Sequence, residues 1–224
     1  DLDDRAWAVA RPIEGFVQRD PNYWMPGTEN TVARIIYDDE NIYFGFDCPI
    51  PTGAGSVANN MRRDSQLSGD DNIQIILDTF HDRRSGYMFV TSPLGAKLEQ
   101  QIAEEGEGGY RRVSSTNANV NLDWDGVWDV SAQRTDQGWV AEMAIPMVTM
   151  RFPDADRQIW GVNFMRNIRR KNEQVFWAPI EKGYGLTRVS LAGTMTGLAG
   201  IDRGLDLRVT PYVLTGGRQD RAVT

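Results

Sequence analysis

Cysteine and histidine each occur once in the 224 residues, as Cys48 and His81. A lone cysteine excludes an intrachain disulfide, and one residue of each kind excludes the multi-ligand sets that hold zinc. Positive charge is also short: 24 Lys and Arg stand against 31 Asp and Glu, giving a net charge of −7 and an isoelectric point near 4.8. A surface that binds nucleic acid must displace counterions with a basic patch, so no nucleic acid is expected as a partner. No apolar run approaches the ~18 residues of a membrane helix. No long stretch carries a helical period, and no nucleophile motif of the G-x-S-x-G kind occurs. There is no initiator Met and no secretory leader at Asp1, so the chain reads as a mature or excised segment.

What the chain does have is 41% apolar residues, with aromatics making up 10% of the chain, and that is enough for a core. Its central stretch is Asp70 to Gly95. Ile73, Ile75 and Leu77 alternate with Asn72, Gln74 and Asp78, and Tyr87, Phe89 and Thr91 alternate beyond the polar turn Asp82–Gly86. A period of two marks strands with one face on a core. The pair reads as a hairpin in which Gly86 takes positive φ, ended by Pro93 and Gly95.

The same pattern recurs on both sides. Thr31–Tyr37 and Asn41–Cys48 form a hairpin about Asp38-Asp39-Glu40, and Cys48 falls on its apolar side as a small buried thiol. Pro49–Ser68 is a long Gly-, Pro- and Asn-rich loop, a length that in compact domains is functional or disordered. Lys97–Ala103 supplies a further strand. Gly126–Gln133 and Trp139–Ile145 make another hairpin, and Pro146–Phe152 one short helical turn. Ile159–Ile168, Val175–Ile180 and Val189–Leu198 complete the strands, and Leu205–Leu214 alternates again. Many short strands without helices predict an all-β sandwich spanning 1–202, with 203–224 a linker or the first strand of a further domain.

Four pieces standing in order carry a family resemblance: TVARIIYDDENIY from Thr31, Asp70–Asp78, GWVAEMAIP from Gly138 and WGVNFMR from Trp160. The chain resembles carbohydrate-binding modules of family 9, and Arg63-Asp64, Asp78-Thr79-Phe80 and Met150-Arg151-Phe152 resemble a bacterial branch in which such a module precedes an outer-membrane β-barrel. The resemblance implies an immunoglobulin-like, jelly-roll-type antiparallel β-sandwich, a bacterial cell-envelope location and binding of an oligo- or polysaccharide without catalysis. It also implies a barrel partner C-terminal to residue 202, and a structural Ca²⁺.

Sugar recognition needs an aromatic face for the apolar side of a pyranose and polar groups for its hydroxyls. Of the seven Trp residues, Trp128, Trp139 and Trp160 alternate with apolar neighbours and read as core. Trp24, beside Tyr23 in a loop, reads as an exposed ring. Family 9 holds a terminal sugar between two Trp rings. Trp177 matches the second, whereas the first falls near Asp64, where this chain has no Trp. Met61, Arg62 or Tyr184 are the candidates for that vacant side. For calcium, Asn121, Asp123 and Asp125 stand at alternate positions before Gly126, with Asp129 following. This resembles the start of a calcium loop but has Ala132 where the last acidic ligand belongs. An Asx-rich turn explains the same residues.

Nothing singles out a catalytic carboxylate pair among the 31 acids, so the expectation is a non-enzyme. Two other functional classes fit. One is a structural plug or partner-docking domain of the barrel. The other is a haem-binding electron-transfer sandwich using His81, Met61 or Met88.

Overall fold

The computed structural model describes residues 2, 4–106 and 119–202. The 203–224 segment, and with it the strand expected at Leu205–Leu214, lies outside the described residues. Among the described residues the elements run α1 (Arg5–Val9), β1 (Val17–Asp20), β2 (Val32–Tyr37), β3 (Asn41–Pro49), β4 (Asn72–Asp78), β5 (Gly86–Thr91) and β6 (Lys97–Ile102). Then come β7 (Val120–Asn121), β8 (Asp129–Thr135), β9 (Gly138–Pro146), β10 (Arg157–Ile168), β11 (Glu173–Phe176) and β12 (Gly193–Ala199). All pairings are antiparallel. One sheet has the order β2-β3-β9-β8; the other has the order β1-β11-β10-β4-β5-β6-β7, with β12 also on β10. This is the expected all-β sandwich.

The long β10 explains the asymmetry. One edge pairs with β4 from Gly161 to Asn167. Its other edge pairs first with β12, through Val162↔Gly193, and then with β11, from Met165↔Phe176 onward. Between these two partners the buried Asn163 takes over the ladder. Its Oδ1 accepts the Ala178 amide at 2.8 Å and its Nδ2 donates to the Ala178 carbonyl at 2.9 Å.

Alternation does what it predicts inside the sandwich. Phe44 and Phe46 from β3 meet Phe164 from β10 edge-on at 6.0 and 5.6 Å. Trp128, Trp139 and Trp160 are buried, as is Cys48, whose thiol is pushed up to about 12 by burial and is therefore no nucleophile at neutral pH. The period of two does not reveal the second apolar layer. Ile76, Met88, Met165 and Phe176 face the other side of the larger sheet, where Leu67, Ile180, Leu186 and Val189 cover them from the long loops.

Several boundaries differ from the sequence reading. A short α-helix stands at Arg5–Val9, where none was expected; its Trp7 sits on the outer face of the smaller sheet, so close to Gly45 that a Cβ there would lie 3.0 Å from the indole Cζ3. β1 carries no periodic signal and exists because it pairs with β11. The strand expected to start at Val189 begins at Gly193 after a 3₁₀ turn over Val189–Leu191. Gly86 does not supply the positive φ of its turn. His81 and Arg83 do, at 50° and 60°, while Asp82 Oδ1 accepts the Arg84 and Ser85 amides, each at 2.8 Å. Gly86 is small because a Cβ there would stand 2.9 Å from the Leu77 carbonyl oxygen.

Candidate functional site

The exposed aromatic surface collects where β1 turns back on itself. The Gln18 amide donates to the Met25 carbonyl at 2.7 Å, and the Trp24 amide donates to the Gln18 carbonyl at 2.9 Å. The buried Gln18 side chain holds the tip from beneath, donating to the Pro26 carbonyl at 2.7 Å and accepting the Asn22 amide at 3.3 Å. Trp24 is thereby kept at φ 66°, a conformation that bulky residues rarely adopt. Trp24 is 56% exposed, and its ring meets Tyr23 edge-on at 5.7 Å. Backbone strain at an exposed aromatic is the kind of feature that clusters at binding sites.

The loop after β11 comes up to this tip and carries a further exposed ring, Tyr184. Lys182 Nζ lies 5.8 Å from the centre of the Tyr23 ring, and the Arg188 guanidinium lies 4.9 Å from that of Tyr184. Arg19 joins the two segments, donating to the Tyr184 carbonyl and to Gln174 Oε1 while its Nε binds Asp20 Oδ2 at 2.7 Å. Arg188 in turn pairs with Glu105 at 2.7 Å. Both arginines are answered by carboxylates, so the patch offers flat apolar rings with donors and acceptors between them and no strong field of one sign.

Trp177 lies on the opposite side of the same sheet edge. Its amide continues the β11 ladder to the Phe164 carbonyl at 3.0 Å. Its ring leans on Phe164 at 5.9 Å and presses on β12, where a Cβ at Gly193 would come within 2.6 Å of the indole. The half-buried indole is a rim of the core with part of one edge in solvent.

Met61, Arg62 and Asp64 are exposed, but they are nowhere near Trp177. The Asp64 amide donates to the Lys97 carbonyl on β6 at 2.9 Å, and β6 lies four strands from β11. At ~4.8 Å per strand, that is on the order of 19 Å. Tyr184 is on the other face. The structure therefore places Trp24 and Tyr184 on segments joined by Arg19 and by the Lys182–Tyr23 contact but does not assemble Trp177 with Met61, Arg62, Asp64 or Tyr184 into a clamp. The haem candidates are likewise scattered: Met88 is buried in the outer apolar layer, Met61 is on the long loop, and His81 is in the turn after β4.

The long loop owes its path to Asp70. Asn59 Nδ2 reaches its Oδ1 at 2.9 Å, and the Asn60 amide and Nδ2 both reach its Oδ2 at 3.0 Å. Burial pushes this carboxyl up, but the bonds from Asn59 and Asn60 outweigh it and the net shift is downward from 3.8. A lowered carboxylate stabilises the fold above its unfolded value and loses that contribution as pH falls through the folded one. Asp70→Asn should therefore cost about 1–2 kcal/mol at neutral pH and flatten the acid limb of stability. Urea unfolding across acid pH measures both, and an unchanged acid limb would refute the assignment.

The residues read as a calcium loop are exposed and engaged by the chain. Asn121 Oδ1 accepts the Asp123 amide at 3.1 Å, Asp125 pairs with Arg63, and Asp129 lies 3.9 Å from Lys97. Among the described residues no three His, Cys, Asp or Glu side chains are grouped as a metal site would need. Sequence reasoning missed Arg19 and Lys182, which carry no motif. Asp20-Pro21-Asn22 before two aromatics was the available signal for a tight, ring-bearing tip.

The chain matches no protein-family model and no curated protein sequence. Solved structures do resemble it. A candidate carbohydrate-binding protein from Bacteroides uniformis ATCC 8492 superposes with a TM-score of 0.61 at 15% identity, over 84% of this chain and 87% of that one. A family 9 carbohydrate-binding module from Caldicellulosiruptor kristjanssonii in complex with cellotriose gives 0.58 at 15% identity, over 93% and 92%. One from the same organism in complex with glucose gives 0.59 at 14% identity, over 91% of each. At such identity the likeness establishes the fold.

Proposed function

We propose that this sandwich is a non-catalytic saccharide-binding module, and that the tip formed by Tyr23, Trp24 and Tyr184 is where it stacks a sugar ring. The observation that supports it is the exposed Trp24 indole, held in a strained backbone beside Tyr23, with Tyr184 and several hydrogen-bonding side chains on the segment that Arg19 ties to it. Pyranose C–H faces pack on such rings, and the hydroxyls around the ring edge find the amide of Asn22, the ammonium of Lys182 and the carboxylate of Asp20. The two family 9 neighbours are in complex with cellotriose and with glucose, so these sugars are the first ligands to try. An envelope location, a following outer-membrane barrel, a role in polysaccharide uptake and a structural calcium ion belong to the same proposal and rest on the sequence resemblance.

Isothermal titration with cellotriose, backed by a glycan array, tests it. Trp24→Ala should weaken binding roughly tenfold or more, because truncating a central aromatic anchor commonly costs 2 kcal/mol or so. Trp177→Ala should reduce stability first. Loss of binding in a folded Trp177→Ala protein, with Trp24→Ala unaffected, would move the site to the rim of the core. A second reading, a partner-docking domain, is favoured by the unassembled clamp at Trp177, and an array without a single positive glycan would put it ahead.

A further inference from the structure

The outer face of the smaller sheet holds a second recess that the aromatic tip does not use. Leu2 and Trp7 pack on Gly45 and raise α1 above the strands. Between α1 and the far strands lies a groove of about 620 Å³, its lining including Asp4, Trp7, Arg34, Asp47, Gln133 and Val140. The register puts these residues on one face: Arg34 stands opposite Gly45 on β3, and Asp47, Val140 and Gln133 form one row across β3, β9 and β8. The row is apolar in the middle and polar at both ends.

Arg34 and Asp47 are the telling pair. They are diagonal neighbours on adjacent strands, roughly 7–8 Å apart at the backbone, well within an arginine's reach. Both are half-buried. Yet among the described residues neither side chain has a hydrogen bond or an ion pair, and they do not pair with each other. Both line the same open groove side by side, and the chain commits neither of them to another group. A ligand that both donates and accepts hydrogen bonds would satisfy them together. The lining is not net basic, because Asp4 and Asp47 outnumber Arg34, so an anionic ligand is disfavoured.

We propose that this groove is a second saccharide site, taking one neutral sugar unit whose vicinal hydroxyls bridge Asp47 and Arg34 while its C–H face lies on Val140. The carboxylate of Asp47 accepts from a hydroxyl, the guanidinium of Arg34 donates to the neighbouring one, and Gln133 serves either way. The lining calls for a neutral ligand that both donates and accepts hydrogen bonds, and the choice of a sugar within that class rests on the proposed function, whereas the place of the groove is independent of the aromatic tip. Two sites on different faces would let the module grip a polysaccharide at two points, raising avidity for polymer over oligomer.

Amide and side-chain NMR of the whole chain, titrated with glucose and with cellotriose, tests this. In Trp24→Ala protein, where the tip is disabled, both sugars should still shift the Arg34 Nε–H and Gln133 side-chain signals. Asp47→Asn should weaken those shifts at least about tenfold in apparent affinity, as loss of a charge-assisted hydrogen bond does, while far-UV and near-UV spectra stay native. Signals in the groove that ignore both sugars would overturn the inference, even if the tip binds them. Shifts that persist unchanged in Asp47→Asn would overturn it too. Groove shifts without tip shifts would instead sink the proposed stacking site and leave this one in place.

Discussion

Glu29→Gln is expected to cost about 3–5 kcal/mol of folding stability. Three cations converge on this one carboxylate, whose side chain is 1% exposed. Arg166 Nη2 lies 3.1 Å from its Oε2, Lys171 Nζ lies 3.1 Å from its Oε1, and Arg170 pairs with the same Oε1. Arg166 is as buried as its partner, and among the described residues its other hydrogen bonds go to the Asn30 and Pro49 carbonyls and the Thr31 hydroxyl. Burial, then the neighbouring Arg170, already hold the Lys171 ammonium below its usual range. Removing the negative charge leaves those cations crowded together with one of them out of water, and breaking such a network is far costlier than never having built it. Urea denaturation reads the loss as a lower midpoint at constant slope. Removing the stranded cation as well, in Glu29→Gln/Arg166→Met, should recover a substantial part. A single-variant loss below ~1 kcal/mol would place the group among ordinary surface ion pairs and refute this account.

Gly138→Ala is the second large effect. Gly138 opens β9 at φ 144°, a conformation that L side chains rarely adopt. A Cβ would lie 2.3 Å from the Cys48 carbonyl oxygen, 2.7 Å from Pro49 Cα and 2.9 Å from the Ile50 amide nitrogen. All three are backbone atoms at the end of β3, so no side chain can swing aside. The same crossing carries the hydrogen bond from the Ile50 amide to the Gln137 carbonyl at 2.8 Å, and that bond must stretch to admit a methyl group. The expected cost is about 3 kcal/mol or more, strain and overpacking together. Gly55→Ala is the matched control, with nothing within 4 Å of its Cβ, and should change stability by under ~0.5 kcal/mol. Thermal and urea unfolding of the pair separate the close approach from a general intolerance of methyl groups, and equal effects would refute it.

The aromatic tip shows how partial the sequence signal was. Trp24 was legible as an exposed ring because it stands beside Tyr23 and Pro26 in a loop. Its association with Tyr184 was not, because about 160 residues separate them and only the β1–β11 pairing closes the gap. Trp177 was legible as a motif position, yet its role depends on Gly193 from a strand that enters later. Arg166 was visible as the last residue of a motif, whereas the carboxylate it serves, Glu29, belongs to no motif.

The chain's own alternation of apolar and polar residues decided that it is an all-β sandwich, where most hairpins turn, and that Trp128, Trp139, Trp160 and Cys48 lie inside. Those properties are local, since a period of two assigns each side chain to one face of its strand. Which of two apolar faces a loop would cover, which indole stayed in water, and that α1 would wall a groove above Arg34 and Asp47 were settled only by strands, helix and loops meeting from distant parts of the chain. Periodicity says which way a side chain points, and only packing says what it finds there.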